Sequence, residues 1–278
     1  MATATIKSLQ ADGMTIAYRE MGSGPPVLLL HGWPTSSFLW RNVMPPIARE
    51  NRAIAVDLPG FGASDKPLDV RYGFGLFERA IDELLTALDV DQVALAGHDL
   101  GGPIALHWAL DRQERLTKLA LLNTLVYPEF SEAVLEFVRA ASTPGRREEL
   151  TSPAGLQAAL RLGLADEGKL SDEVGAAVRE PFADDDSRRA LADAGIGLEP
   201  EGFAEIARGL PSLNVPVRLV YGERDRILPD VAQTMERIRN DVPDAVVTTL
   251  PDSGHFLQEE APEQVGELLA AFFAEPRH

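Results

Sequence analysis

The sequence predicts an α/β fold: a mostly parallel central sheet, an N-terminal antiparallel hairpin and an inserted helical cap. Two patterns point to it. Short unbroken apolar runs, such as "VLLL" at Val27–Leu30 and "VALA" at Val93–Ala96, alternate with segments of helical period, which is how strands covered by helices on both faces read. The alternation stops at about Tyr127 and resumes after Gly209; the chain between is rich in Ala, Glu and Leu and punctuated at "TPG", "TSPAG" and "EPEG". Residues 1–126 and 210–278 are therefore expected to form an α/β core domain, with 127–209 inserted as a helical cap.

Each element has its own local reason. Two alternating segments, about Thr5–Leu9 and Met14–Arg19, meet at Asp12-Gly13, a hairpin turn signal. Val27–Leu30 is a buried strand, after which Ser36 or Ser37 can cap a helix carrying Phe38, Leu39, Val43 and Ile47. "RAIAV" is the next strand and runs into the Gly/Pro-rich "DLPGFGASDKP"; a helix from about Gly73 to Leu88 then presents Phe77, Ile81, Leu84 and Leu85 on one face. "VALA" is a strand, a helix follows Gly101, and "LTKLALLN" is another strand. Beyond the cap come the strand "PVRLVYG", a helix after Pro229, the strand "AVVTTL" and a last helix through Leu268, Leu269, Phe272 and Phe273.

Composition bounds the function. A chain of 278 residues, 45% of them hydrophobic, can bury an enzyme-sized core. Its formal net charge of −17, with no Lys/Arg cluster, repels phosphate backbones and anionic headgroups, so neither nucleic acid nor membrane is an expected partner. The absence of cysteine removes disulfides, thiolate catalysis and Cys-ligated metal. No His/Asp/Glu spacing resembles a metal site. The N-terminal "MATATIKSLQADG" has no apolar core of signal-peptide length, and no apolar run approaches the roughly 18 residues of a membrane span, so a cytoplasmic location is expected.

In open α/β sheets the chemistry gathers beyond the C-terminal ends of the strands. Four such places carry capable groups: "HGWP" after Leu30, Asp99 in "AGHDLGG", "GERD" after Tyr221, and "DSGHF" after Pro251. Gly97 and Gly101 flank Asp99, as a nucleophile on a tight strand-to-helix turn requires, because neighbouring side chains would not fit. An isolated aspartate in a turn otherwise serves as a cap, and His255 alone would read as a surface loop histidine.

The segments "HGWPTSSFLWRN", "DLPGFGASDKP", "AGHDLGG", "YGERDRILP" and "SGHF" stand in that order. With them the chain resembles the α/β-hydrolase fold family over nearly its whole length outside the cap. Within that family, an aspartate nucleophile together with "HGWPTSSFLWRN" resembles the haloalkane dehalogenases, with epoxide hydrolases next. The resemblance implies Asp99 as nucleophile, His255 as general base, and Asp225, ahead of Glu223, as the acid that orients the imidazole. It also implies an oxyanion hole from the backbone N–H groups of Trp33 and Leu100. No cofactor is implied; the reactants would be a small apolar organic substrate and water, and both monomer and homodimer remain open.

The aspartate suits that chemistry. With a reference pKa of about 3.9 it is ionised at neutral pH and attacks a saturated carbon without a base. The product is an alkyl ester of Asp99, which water activated by His255 would hydrolyse.

Two departures from the dehalogenase pattern bear on the leaving group. Dehalogenases normally carry Trp directly after the nucleophile as a halide donor, and here Leu100 has no side-chain N–H. Asn often follows "HG", and here Trp33 stands there, either as a donor or as an apolar wall. Epoxide hydrolases commonly use cap tyrosines as proton donors, whereas residues 128–208 contain no Tyr, Trp or His, which leaves Tyr127 at the hinge. Trp33 and Tyr127 are thus the candidate leaving-group donors.

Asn123 ends "LALLN" where some relatives place the orienting acid, and an amide supplies no charge. Phe130, Phe137, Phe182 and Phe203 either line a pocket or pack the cap helices together. His31, His98, His107 and His278 read as structural. The expected activity is haloalkane dehalogenase-like hydrolysis. Epoxide hydrolysis is the alternative, and a binding protein or degenerate enzyme on the same fold is a further one.

Overall fold

The structure is a computed structural model and describes residues 4–275, so His278 lies outside the described residues. Asp12 and Gly13 both take positive φ, 46° and 78°, the backbone of a two-residue hairpin turn. They fold β1 (Ile6–Ala11) back against β2 (Met14–Met21), as expected. After β3 (Pro26–Leu30), the expected single helix over 38–47 is absent. A 3₁₀ turn at Ser37–Trp40, whose N-terminal cap is Ser36, is followed by a separate short helix α1 (Met44–Ile47). Pro45 and Pro46 are the reason: neither has an N–H to continue a helical ladder, and both are tolerated at a helix start, where none is needed.

The chain continues through β4 (Arg52–Val56), α2 (Phe74–Ala87), β5 (Val93–His98), α3 (Gly101–Asp111) and β6 (Leu116–Leu122). Every regular element described between Leu122 and Val217 is helical: α4 (Glu132–Ser142), α5 (Arg146–Leu150), α6 (Pro153–Gly163), α7 (Asp172–Arg179), α8 (Asp185–Ile196), α9 (Pro200–Gly209) and short 3₁₀ turns. Ser131, Ser152, Ser171 and Asp184 open four of these helices by accepting a backbone N–H, which satisfies one of the donors a helix start leaves free. The chain closes with β7 (Val217–Gly222), α10 (Val231–Asp241), β8 (Val246–Leu250), α11 (Leu257–Glu260) and α12 (Pro262–Ala274).

The eight strands form one sheet in the order β1-β2-β4-β3-β5-β6-β7-β8, antiparallel at β1-β2-β4 and parallel from β4 to β8. Val27–Leu30 and Leu119–Leu122 are inaccessible to solvent. Burying such side chains stabilises the sheet by about 1.5–3 kcal/mol each. Parallel pairing brings the C-terminal ends of β3, β5, β6 and β7 to one edge, where Trp33, Asp99, Asn123 and Asp225 follow them in the sequence. Among the described residues no helix is long and apolar enough to cross a membrane.

Candidate active site

Asp99 stands directly after β5 with φ 51°, a left-handed conformation that non-glycine residues hold only when the surroundings impose it. A β-carbon at Gly97 would strike the carbonyl of Gly101, and one at Gly101 would strike the carbonyls of Leu30 and His31. The turn is pinned further by the Thr124 hydroxyl, which donates to the Asp99 carbonyl at 2.6 Å. The carboxylate is oriented by backbone: Oδ1 accepts the Trp33 N–H at 2.9 Å, and the Leu100 N–H also donates to it. Burial pushes the Asp99 carboxyl above its ordinary pKa, and the neighbouring His255 and the two N–H donors oppose that rise.

His255 is fully buried. Its Nδ1 lies 2.8 Å from Oδ2 of Asp225, and its Nε2 lies 3.6 Å from Oδ2 of Asp99. An ionised carboxylate only accepts, so Nδ1 carries the proton and the Nε2 lone pair is left on the Asp99 side. Oδ1 of Asp225 accepts the N–H groups of Ile227 and Leu228, each at 2.8 Å. Burial favours the neutral form of both groups. For Asp225, the His255 ring, the Leu228 N–H and the Asn123 amide outweigh burial and hold the carboxyl below its ordinary pKa. For His255, Asp225 and then Asp99 outweigh it, and the imidazole lies above its usual value.

Trp33, Asp99 and Leu100 line a cavity of about 590 Å³. The helical segment supplies Phe130, Phe137 and Phe203, and Ile227 and Leu228 come from the loop after β7. A mainly apolar cavity of this size with few polar groups suits a small organic molecule. The Trp33 indole packs edge-on to Phe137, with centroids 4.9 Å apart, and its buried N–H has no hydrogen-bond partner among the described residues. Phe182 lies elsewhere, beneath the Lys66 ammonium. No group of three or more His, Cys, Asp or Glu among the described residues could hold a metal ion.

A family model described as alpha/beta hydrolase fold matches residues 25–262. The chain belongs to that family. Among curated relatives, haloalkane dehalogenase 2 of Mycobacterium tuberculosis is 31% identical, over 93% of this chain and 91% of its own length, and a haloalkane dehalogenase of Sphingobium indicum 32%, over 96% and 94%. The solved haloalkane dehalogenase DbeA of Bradyrhizobium elkanii superposes with a TM-score of 0.85, at 29% identity, over 97% of each chain. This α/β hydrolase is therefore a haloalkane dehalogenase-like hydrolase, and it is an enzyme.

Within this α/β hydrolase the structure gives a role to Asn123, which the sequence placed at an acid's position without the charge of one. Asn123 donates its amide to Oδ2 of Asp225 at 2.7 Å and accepts the Gly222 N–H at 2.9 Å. It braces the acid instead of replacing it, and the two lie 102 positions apart. The single local signal is a polar residue closing a buried strand. Glu223 is exposed, and its backbone N–H bonds to Leu250 of β8. His31 accepts the Leu58 N–H at Nε2, and Nε2 of His98 lies 3.0 Å from the His255 carbonyl; burial pushes both rings below the ordinary imidazole pKa. Both act as scaffold.

Tyr127 is the residue that the structure sets apart from the site. Its hydroxyl donates to Asp241 of α10 at 2.7 Å, and its ring lies under the Arg237 guanidinium, 3.6 Å from centroid to carbon. It lines a separate groove of about 310 Å³ instead of the cavity that holds Asp99. A buried phenol needs a partner for its O–H, and Asp241, 114 positions on in the sequence, supplies it.

Proposed function

We propose that the protein hydrolyses carbon–halogen bonds of small, uncharged apolar substrates in two steps through a covalent alkyl ester of Asp99, with residues 127–209 acting as the cap over the cavity. One observation carries this reading. A buried carboxylate has Oδ1 held by the Trp33 N–H, and its Oδ2 lies 3.6 Å from the proton-accepting nitrogen of His255.

In the first step Oδ2 of Asp99 attacks the carbon, the carbon–halogen bond breaks, and the halide leaves with the bonding pair. The indole N–H of Trp33, which has no hydrogen-bond partner among the described residues, is the side-chain donor left for that anion. In the second step Nε2 of His255 takes a proton from water as the hydroxide adds to Cγ of Asp99. The N–H groups of Trp33 and Leu100 then face the oxyanion. Collapse expels the alkoxide, which takes the proton back from His255, and the restored carboxylic acid releases one proton to solvent. Asp225 supports the base by stabilising the imidazolium that forms.

The test is a single turnover of excess enzyme on 1-bromobutane in heavy-oxygen water. Attack of water at Cγ leaves the label on Asp99, readable by peptide mass. Label confined to the butanol, with Asp99 unlabelled, would mean direct hydrolysis and overturn the covalent mechanism.

A further inference from the structure

We propose that Glu260 is a positioning residue for His255, tying the histidine loop to residues 163–166 so that the cap sets the placement of the base as well as roofing the cavity. The proposal rests on the two-step reading above.

Glu260 closes α11 and is buried, 5% exposed. Its carboxylate spans two backbones: Oε2 accepts the N–H of Gly254 at 2.5 Å, and Oε1 accepts the N–H of Asp166 at 2.9 Å. Gly254 immediately precedes His255. The same cap segment reaches the base directly, because the carbonyl of Gly163 accepts the His255 N–H at 2.7 Å and the Phe256 N–H at 3.3 Å.

A second strand of bonds comes from the acid's side. Arg226, next to Asp225, donates to the carbonyls of Arg161, Leu162 and Leu164 at 2.9, 3.0 and 2.7 Å. These carbonyls end α6, where a helix leaves acceptors without intrahelical donors. The last turn of α6 is thus bonded on one side to the backbone of the base and on the other to the neighbour of its acid. The approach is too close to slacken without consequence: a β-carbon at Gly254 would strike the Gly163 carbonyl, and one at Gly163 would strike the Phe256 ring. Lys169 closes the link by donating to the Glu260 carbonyl at 2.6 Å.

Bonds from N–H to a buried carboxylate are charge-assisted and strong. An amide in place of Glu260 would turn an N–H₂ group towards one of the two backbone donors and leave it unsatisfied. Nε2 of His255 would then drift from the line of the attacking water, and misplacement by about 1 Å can cost roughly a hundredfold in rate. His255 acts in ester hydrolysis and takes no part in alkylation, so the loss falls on the second step. A residue needed only for folding would slow both steps together.

The experiment compares wild type, Glu260→Gln, Arg226→Gln and His255→Gln on 1-bromobutane, following the bromide burst and the intact protein mass. Arg226 is exposed, so its variant reports on the same cap segment if Glu260→Gln fails to fold. Expected for both is a burst at the wild-type rate, steady turnover lower by roughly 10- to 100-fold, and accumulation of protein carrying one butyl group. Wild-type hydrolysis in both variants, or burst and hydrolysis reduced in equal proportion, overturns the positioning role while the two-step reading stands. Failure of His255→Gln to accumulate the butyl adduct overturns the two-step reading, and the role of Glu260 falls with it.

Discussion

The side-chain amide of Asn123 donates to Oδ2 of Asp225 at 2.7 Å, the same oxygen that lies 2.8 Å from Nδ1 of His255. One carboxylate oxygen thus holds both the imidazole and an amide anchored at the end of β6, and the amide oxygen in turn accepts the N–H of Gly222 at the end of β7. Asn123→Leu would remove the donor and leave the Gly222 N–H buried without an acceptor. The expected cost is about 1–3 kcal/mol of stability, read from the denaturant midpoint, together with slower turnover as Asp225 loses a bond that fixes its orientation. A variant as stable and as active as wild type would remove Asn123 from the site.

His255→Gln should spare alkylation and block hydrolysis, because an ionised carboxylate attacks without a base and water does not. Loss of a general base slows the dependent step by roughly 10²- to 10⁴-fold. Intact mass after incubation with 1-bromobutane should show one added butyl group. An unmodified mass would overturn the two-step reading.

The pH dependence follows from the same division. The pKa of His255 lies above the ordinary imidazole value because of Asp225 and Asp99, against the opposing effect of burial. The neutral ring is the base, so turnover falls as pH drops through that raised value. Once alkylated, Asp99 is an ester with no acidic proton, so hydrolysis of the adduct depends on the protonation of His255 alone. In a single-turnover measurement, hydrolysis of preformed adduct should slow as pH falls and the ring becomes protonated. A hydrolysis rate independent of pH down to mildly acidic buffer would remove the neutral imidazole as the base.

Leaving-group stabilisation should rest on Trp33, since Leu100 offers no side-chain donor. Hydrogen bonds to charged groups contribute about 1.5–3 kcal/mol, so Trp33→Phe should slow bromide release roughly 10- to 100-fold. Leu100→Trp should raise it if the cavity accepts the larger ring. A burst unchanged in Trp33→Phe would make the indole a wall.

A pH-dependent stability should come from His107, which lies between Glu78 of α2 and Glu205 of α9, 3.0 Å from the latter, with Phe74 stacked on its ring. The hydrogen bond to Glu78 raises its pKa, burial opposes, and Glu205 adds to the rise; Arg112, which also pairs with Glu78, faces the same cluster. A group whose pKa is raised by folding contributes stability that is complete below the unfolded value of about 6.5 and lost as pH rises through the folded one. His107→Gln should lower Tm most at acidic pH, and the gap should close at alkaline pH. A gap independent of pH would leave His107 as packing alone.

The sequence by itself determined the order of strands and helices, the helical run between β6 and β7, and the strand ends from which Trp33, Asp99, Asp225 and His255 come. These are local matters. Apolar period, glycines that admit no side chain beside Asp99, and serine caps act within a few residues of one another and are legible there. The break of the helix at Pro45 and Pro46 was equally local, and the apolar spacing of Phe38, Leu39, Val43 and Ile47 masked it. Tertiary structure alone decided the partners. The residue names do not reveal that Tyr127 turns to Asp241, that Phe182 packs away from the cavity while Phe137 meets Trp33, or that Asn123 braces Asp225. A hydrogen-bond partner or a cavity wall is chosen by which surfaces the packed sheet and helices bring within about 3–4 Å, and that choice exists only once the distant parts of the chain have met.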